Sequence, residues 1–228
     1  LKERLISYGA DVITAKAGAI EPIKCDLSFI SEAKLGDYVV FTSPNGVKSF
    51  FWNLYENVGL DVRSLAGYRF ACIGKKTANT LMEFGIKADV ISEVQNGKDL
   101  ALKLNQVMEP GASIYWLCQN NTSEDFENTV SKEHVITKIV CYENVEVECD
   151  RDENYLSEIQ NCDASIFTSG SNGRFAIKNY GNFLPKDVIS IGPACSRTIR
   201  ELGFEVAAEA DISSYEGIVE CIFNSYMR

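Results

Sequence analysis

The chain has 228 residues, 46% of them hydrophobic and 24% charged, the balance of an ordinary globular protein with room for one large domain or two moderate ones. Its net charge of −10 excludes general nucleic-acid binding through a basic face, and no apolar run approaches the roughly 20 residues that a membrane helix needs. Eight cysteines lie scattered without a Cys-x-x-Cys pair, and His134 is the single histidine. That spacing argues against a metal site and for buried, reduced thiols in a cytosolic protein. The opening Leu1-Lys2-Glu3-Arg4-Leu5 lacks the apolar stretch of an export signal.

In chain order, Leu1, Leu5 and Tyr8 predict a helix closed by Gly9, followed by strand-like Val12–Thr14 and Ala19–Ile23. The run Tyr38–Thr42 predicts a buried strand, which Ser43-Pro44-Asn45-Gly46 breaks to open a helix from Val47 to Tyr55. Apolar runs of this length between turns suit central strands of a parallel sheet. Strand Phe70–Ile73, helix Thr77–Phe84, strand Ala88–Ile91 and helix Gly97–Val107 follow. Next come strand Ser113–Leu117, helix Glu124–Ser131 and strand Val135–Val140. After Tyr142 the acidic segment Glu143–Asp152 carries alternating valines and reads as an exposed strand or linker. A helix Glu153–Ile159, a strand Ala164–Ser169, a Gly170–Gly173 turn, a strand ending at Ile191 and helices after Gly192 and from Gly217 complete the chain.

Strands alternating with helices imply βαβ units with right-handed crossovers, and here the units occur twice. Ile73-Gly74 and Ile191-Gly192 both end strands ahead of helices that close at Gly85 and Gly203, and both pairs of glycines are 118 residues apart. Phe41-Thr42-Ser43 is echoed by Phe167-Thr168-Ser169. The stripe Thr77, Leu81, Phe84 matches Cys195, Ile199, Leu202 at i, i+4, i+7, one buried helix face in each copy. The segment 126–147 resembles 2–23 in pattern, so the copies are not simply consecutive. The expected architecture is α/β, with two similar parallel-sheet domains and the middle one inserted into the first. The expected bounds are 1–17 with 148–228, and 24–140, joined by a two-stranded linker at 18–23 and 141–147. Each helix should follow a strand, and none precedes Leu1, so a first strand is expected to be missing.

Ligands of open parallel sheets bind at the carboxyl ends of strands, where turns feed helix N-termini. Thr42, Ser43, Gly74, Thr168, Ser169 and Gly192 all fall at such ends. Hydroxyls, free amides and the positive helix end make anion receptors; the same residues also serve as caps and turn formers. Lys75 and Lys76 follow Gly74 at a helix start, where cations oppose the helix dipole, and that misfit favours a role with an anion. Arg174 and Arg197 hold comparable places in the second copy. No phosphate loop, dinucleotide glycine pattern or nucleophile elbow is present, which disfavours a nucleotide-dependent enzyme. Tyr142 sits where the chain should cross between domains; it could pack, or its phenol could donate a proton to a leaving oxygen.

Phe-Thr-Ser-Pro-Asn-Gly at 41–46, Ile-Gly-Lys-Lys-Thr-Ala at 73–78, Tyr142 after its strand, Phe-Thr-Ser at 167–169 and Ile-Gly-Pro with its Leu-Gly closure at 191–203 together resemble uroporphyrinogen-III synthase, across essentially the whole chain. The resemblance implies two flavodoxin-like domains with a two-stranded linker. It also implies a lyase that closes hydroxymethylbilane with loss of water and inversion of ring D, through a spiro intermediate. No metal or organic cofactor is implied. Carried over by position, Tyr142 would assist departure of the hydroxyl. Thr42, Ser43, Gly74, Lys75, Lys76, Thr77, Thr168, Ser169, Gly192, Cys195 and Ser196 would meet the substrate in a cleft between the domains. Cys195 stands where the family has threonine, with Ser196 beside it, and Gly170 stands where the family has proline. Lys75, Lys76 and Thr77 keep a polar set where Pro193, Ala194 and Cys195 have none, so the middle domain is expected to supply more of the polar contacts at this pair of turns. The expected partners are the linear tetrapyrrole and, transiently, the preceding enzyme of the pathway. The chain is expected to be a cytoplasmic monomer without nucleic-acid or membrane partners. The alternative reading is a non-enzymatic two-domain binding module for a small anionic ligand.

Overall fold

A computed structural model describes residues 1–226 apart from 33, 35, 95, 121 and 150. In chain order its elements are α1 (Lys2–Ser7), β1 (Gly18–Pro22), β2 (Tyr38–Phe41), α2 (Pro44–Trp52), β3 (Arg69–Cys72), α3 (Gly74–Glu83), β4 (Val90–Ile91) and α4 (Gly97–Val107). Then follow β5 (Ser113–Gln119), α5 (Asp125–Thr129), β6 (Val135–Glu146), α6 (Glu153–Gln160), β7 (Ser165–Phe167), α7 (Gly170–Tyr180), β8 (Val188–Ser190), α8 (Pro193–Glu201), β9 (Ala208–Glu209) and α9 (Tyr215–Tyr226). Two compact units form: unit 1 takes Leu1–Ala19 and Val145–Arg228, and unit 2 takes Ile20–Asn144.

Unit 2 is built on a six-stranded sheet in the order β1-β6-β5-β2-β3-β4. The strands β2 to β6 pair in parallel. Successive side chains of a strand face opposite ways, and β2 feeds two cores. Tyr38 and Val40 join Leu100, Leu104, Trp116 and Phe126. Val39 and Phe41 join Val47, Phe50, Leu54 and Leu81. That double burial explains why β2 is apolar at every position. Strand order reverses at β2: β3 and β4 lie to one side, β5 and β6 to the other. Such a reversal is where open α/β sheets admit ligands.

Unit 1 carries a parallel three-stranded sheet, β7-β8-β9, over a core of Phe167, Ala176, Tyr180, Val188, Cys195 and Ile199. Its helices α7 and α8 approach closely. A Cβ on Gly170 would lie 2.7 Å from Thr198 Oγ1, and one on Gly173 would run into Ile199 Cδ1.

Four expectations are corrected. Val12–Thr14 forms no strand. The segment Gly170–Gly173 is not a free turn but the first turn of α7, capped by Ser169. The strand read as ending at Val140 runs on to Glu146, so Tyr142 lies inside β6 rather than after it. The helix read as ending at Tyr55 leaves α-geometry at Trp52 and widens into a π-turn over Asn53–Asn57. Fully buried Asn53 anchors that turn, donating to Ile23 O and Ser49 O and accepting from the Cys25 amide.

Candidate active site

The sheet register gathers the carboxyl ends. In unit 2, Phe41 pairs with both Cys72 and Leu117, and Gln119 pairs with Tyr142 across a register shift. Thr42-Ser43 and Ile73-Gly74 therefore leave the sheet along one edge, beside Cys118-Gln119 at the end of β5. In unit 1, Phe167 pairs with Ser190, which aligns Thr168-Ser169 with Ile191-Gly192 in the same way.

Ser43 is the N-cap of α2. Its extended backbone turns the chain, Pro44 opens the helix with a preset φ, and its Oγ accepts the Gly46 amide at 3.0 Å. The same Oγ lies 2.7 Å from Tyr142 Oη. Gly46 permits this: a Cβ there would sit 3.0 Å from Leu117 O and 3.7 Å from Tyr142 Cε1, so a side chain would push α2 off β5. Tyr142 is 5% exposed. Burial lifts its phenol above the ordinary tyrosine value, and the Ser43 bond pulls part of the way back. The phenol thus keeps its proton through neutral pH. Beside this pair, Trp116 Nε1 donates to Thr42 Oγ1 at 3.1 Å.

Gly74 has φ +68°, the left-handed region, and its amide donates to the Oγ of buried Ser92 at 3.2 Å. Lys75 and Lys76 are exposed on the first turn of α3. Thr77 is buried and faces inward on the same stripe as Leu81.

The twin edge in unit 1 repeats the cap: Ser169 Oγ accepts the Asn172 amide at 3.2 Å. Among the described residues this hydroxyl has no tyrosine partner. Thr168 is half-buried and Gly192 buried. Cys195 and Ser196 were expected to meet a ligand, but both are buried: Cys195 Sγ turns to Phe167 O, and Ser196 Oγ lies 2.5 Å from Ser190 Oγ. These two and Thr77 belong to helix faces that pack inward. Among the described residues no group of three His, Cys, Asp or Glu side chains is placed to hold a metal ion.

The signature described as uroporphyrinogen-III synthase HemD matches residues 1–220. The chain belongs to the uroporphyrinogen-III synthase family. It is 25% identical over 199 residues to a putative uroporphyrinogen-III synthase of Methanocaldococcus jannaschii, covering 82% of this chain and 78% of that one. It is also 28% identical over 138 residues to the porphyrin biosynthesis protein HemD of Ruminiclostridium josui, covering 59% of this chain, and spans 27% of that relative's length. The fold resembles the crystal structure of uroporphyrinogen-III synthetase from Helicobacter pylori, with TM-score 0.63, 17% identity and coverage of 93% and 91%. A mutant uroporphyrinogen III synthase from the extremely thermophilic bacterium Thermus thermophilus superposes with TM-score 0.57, 15% identity and coverage of 96% and 90%. Among the described residues no helix is long and apolar enough to cross a membrane.

Within this synthase fold, two residues escaped the sequence reading. Ser92, which receives the Gly74 amide, follows the short strand β4, and a lone serine there carries no signal. Trp116 sits within a strand that reads as core throughout, and its bond to Thr42 spans 74 residues.

Proposed function

We propose that this chain closes hydroxymethylbilane to uroporphyrinogen III, with loss of water and inversion of ring D, in tetrapyrrole biosynthesis. Family membership supports the reaction class, and the hydrogen-bonded Ser43–Tyr142 pair at the switch edge of unit 2 is the observation that carries the mechanism. In that mechanism the pyrrole nitrogen pushes electrons toward the hydroxymethyl carbon and the C–O bond breaks. The Tyr142 phenol gives its proton to the departing oxygen, which leaves as water. A chain of donors supports the transfer: the Gly46 amide donates to Ser43, and with Ser43 taken as the donor in its contact with Tyr142 the phenol's own proton faces the leaving group. The azafulvene cation is attacked by ring D, and the spiro rearrangement follows. The proton released when the last ring regains aromaticity returns to Tyr142. Holding the chain curled supplies the rest of the acceleration.

The eight carboxylates of the substrate meet local donors rather than net charge. Thr42, Lys75 and Lys76 in unit 2, with Thr168 and Ser169 in unit 1, are the proposed donors; Ser43, Gly74 and Gly192, whose own hydrogen bonds go to Tyr142, Ser92 and Ser190, are proposed to touch the substrate beside them. Thr77, Cys195 and Ser196 brace those turns from beneath. The enzyme works without a resident cofactor, in the cytoplasm and as a monomer that takes its unstable substrate from the preceding enzyme.

The test is to supply freshly made hydroxymethylbilane, oxidise the products and resolve the uroporphyrin isomers. Type III product is expected. Type I alone, at the spontaneous rate, would overturn the reading. Tyr142→Phe should lower kcat for type III by about 100-fold, the lower range of general-acid effects, while the chain stays folded; an unchanged rate would remove Tyr142 from the chemistry.

A further inference from the structure

Each hydroxyl at the carboxyl edge of unit 2 can be followed through its donor and acceptor roles. Ser43 Oγ accepts the Gly46 amide and shares a bond with Tyr142, so it is occupied in both directions. Thr42 differs. An indole nitrogen has no lone pair to offer, so Trp116 can only donate in the 3.1 Å contact, and Thr42 Oγ1 is the acceptor. The threonine's own proton is left over, and among the described residues it meets no acceptor. The indole itself is 1% exposed, packed on Phe126 with ring centroids 4.9 Å apart. The Lys138 ammonium stands 5.5 Å from the indole centroid. A cation at the π-face draws electron density from the ring and strengthens the N–H as a donor. The row from Lys138 through Trp116 to Thr42 is therefore polarised in one direction. It ends in a free hydroxyl proton at the edge where strand order reverses. Core filling alone does not call for a tryptophan here; phenylalanine would bury similar apolar surface without a donor to satisfy.

We propose that Trp116 is a positioning residue for substrate binding: its indole N–H holds the Thr42 hydroxyl as a one-way donor to a carboxylate of the substrate. Thr42 touches the anion, and Trp116 acts through Thr42. The owner of that carboxylate, the linear tetrapyrrole, rests on the lyase reading above.

Steady-state kinetics test it. Trp116→Phe should raise KM for hydroxymethylbilane about fivefold, the equivalent of one weakened hydrogen bond, with kcat nearly unchanged. Thr42→Val should do the same and Thr42→Ser should not. The double variant should be no worse than Thr42→Val, because without the hydroxyl the indole has nothing to orient. An unchanged KM in Trp116→Phe, or effects that multiply in the double variant, would overturn the proposal. Should Trp116→Phe fail to fold, the half-buried edge substitution Thr42→Val carries a second, turnover-free arm. The Trp116 indole proton resonance should move in Thr42→Val and hold in Thr42→Ser. Adding uroporphyrin III, an octacarboxylate, should move it in the native chain and not in Thr42→Val. No movement in either comparison overturns the proposal. Movement with uroporphyrin III in a chain that yields only type I product sinks the lyase reading and leaves the Thr42 donor site standing.

Discussion

The duplication supplies an internal control for the contact at the centre of the mechanism. Ser43 and Ser169 cap equivalent helices with nearly the same geometry, accepting the amide three residues on at 3.0 and 3.2 Å. Of the two, Ser43 alone also meets a tyrosine among the described residues, at 2.7 Å. Replacing either serine by alanine removes a cap, at a cost of about 1 kcal/mol. Ser43→Ala additionally leaves the Tyr142 hydroxyl, on a residue only 5% exposed, without its partner, a further cost of about 1–3 kcal/mol. Ser169→Ala should therefore destabilise unit 1 by about 1 kcal/mol and Ser43→Ala should destabilise unit 2 by about 2–4 kcal/mol. Adding Tyr142→Phe to Ser43→Ala removes the stranded hydroxyl and should recover most of the difference. The assay separates the units, because Trp52 and Trp116, the chain's two tryptophans, both lie in unit 2. Indole emission in urea follows unit 2, and far-ultraviolet circular dichroism follows both. Equal costs for the two alanine variants, or no recovery in the double variant, would refute the argument.

Gly74→Ala places a side chain at φ +68° and should lower unit 2 stability by about 1–2 kcal/mol, read as an earlier indole transition; an unshifted midpoint would contradict the strain. Gly170→Ala drives a Cβ against Thr198, whose Oγ1 would lie 2.7 Å away and whose branched side chain turns stiffly. It should cost unit 1 about 1–3 kcal/mol, moving the dichroism transition and leaving the indole transition in place. Burial pushes the Cys72 thiol up to about 12 and that of Cys118 up to about 11, against an ordinary value near 9, and raises Cys141 as well. These three should resist iodoacetamide at pH 8 until urea unfolds unit 2, and mass spectrometry of the labelled peptides checks it. Since their folded values are raised, the stability they lend as neutral thiols is complete below pH 9. It is lost as pH climbs through 11 to 12. A urea midpoint for unit 2 that rises over that window would have the wrong sign.

Much of the fold was readable locally. The helix Gly97–Val107 emerges with the bounds expected of it, because Asn96 caps one end and the apolar spacing of Leu100 and Leu104 repeats in between. Where the reading failed, pairing partners decided. Val12–Thr14 has strand-forming residues but pairs with no strand among the described residues, so it stays irregular. Glu143–Glu146 looks like a linker from its charges. It is strand because β6 runs on beside β1 after its pairing with β5 ends at Tyr142, with the Ile23 amide bonded to Cys141 O at one end of that stretch and the Val147 amide to Ala17 O at the other.

The sites divide along the same line. From sequence alone, residues such as Thr77 and Cys195 carried two conflicting signals, a strand-end turn that suggests a ligand and a helical stripe that suggests a core. In the fold both side chains are buried on helix faces that turn inward. By itself the sequence determined the α/β alternation and the capped turns at strand ends, because each rests on a local pattern, and the duplication, because two such patterns recur 118 residues apart. Only the tertiary structure decided that Ser43 meets Tyr142 and that Trp116 turns its N–H to Thr42. Those pairs are separated by 99 and 74 residues, and the order in which parallel strands line up, which no local pattern encodes, is what brings them within hydrogen-bond reach.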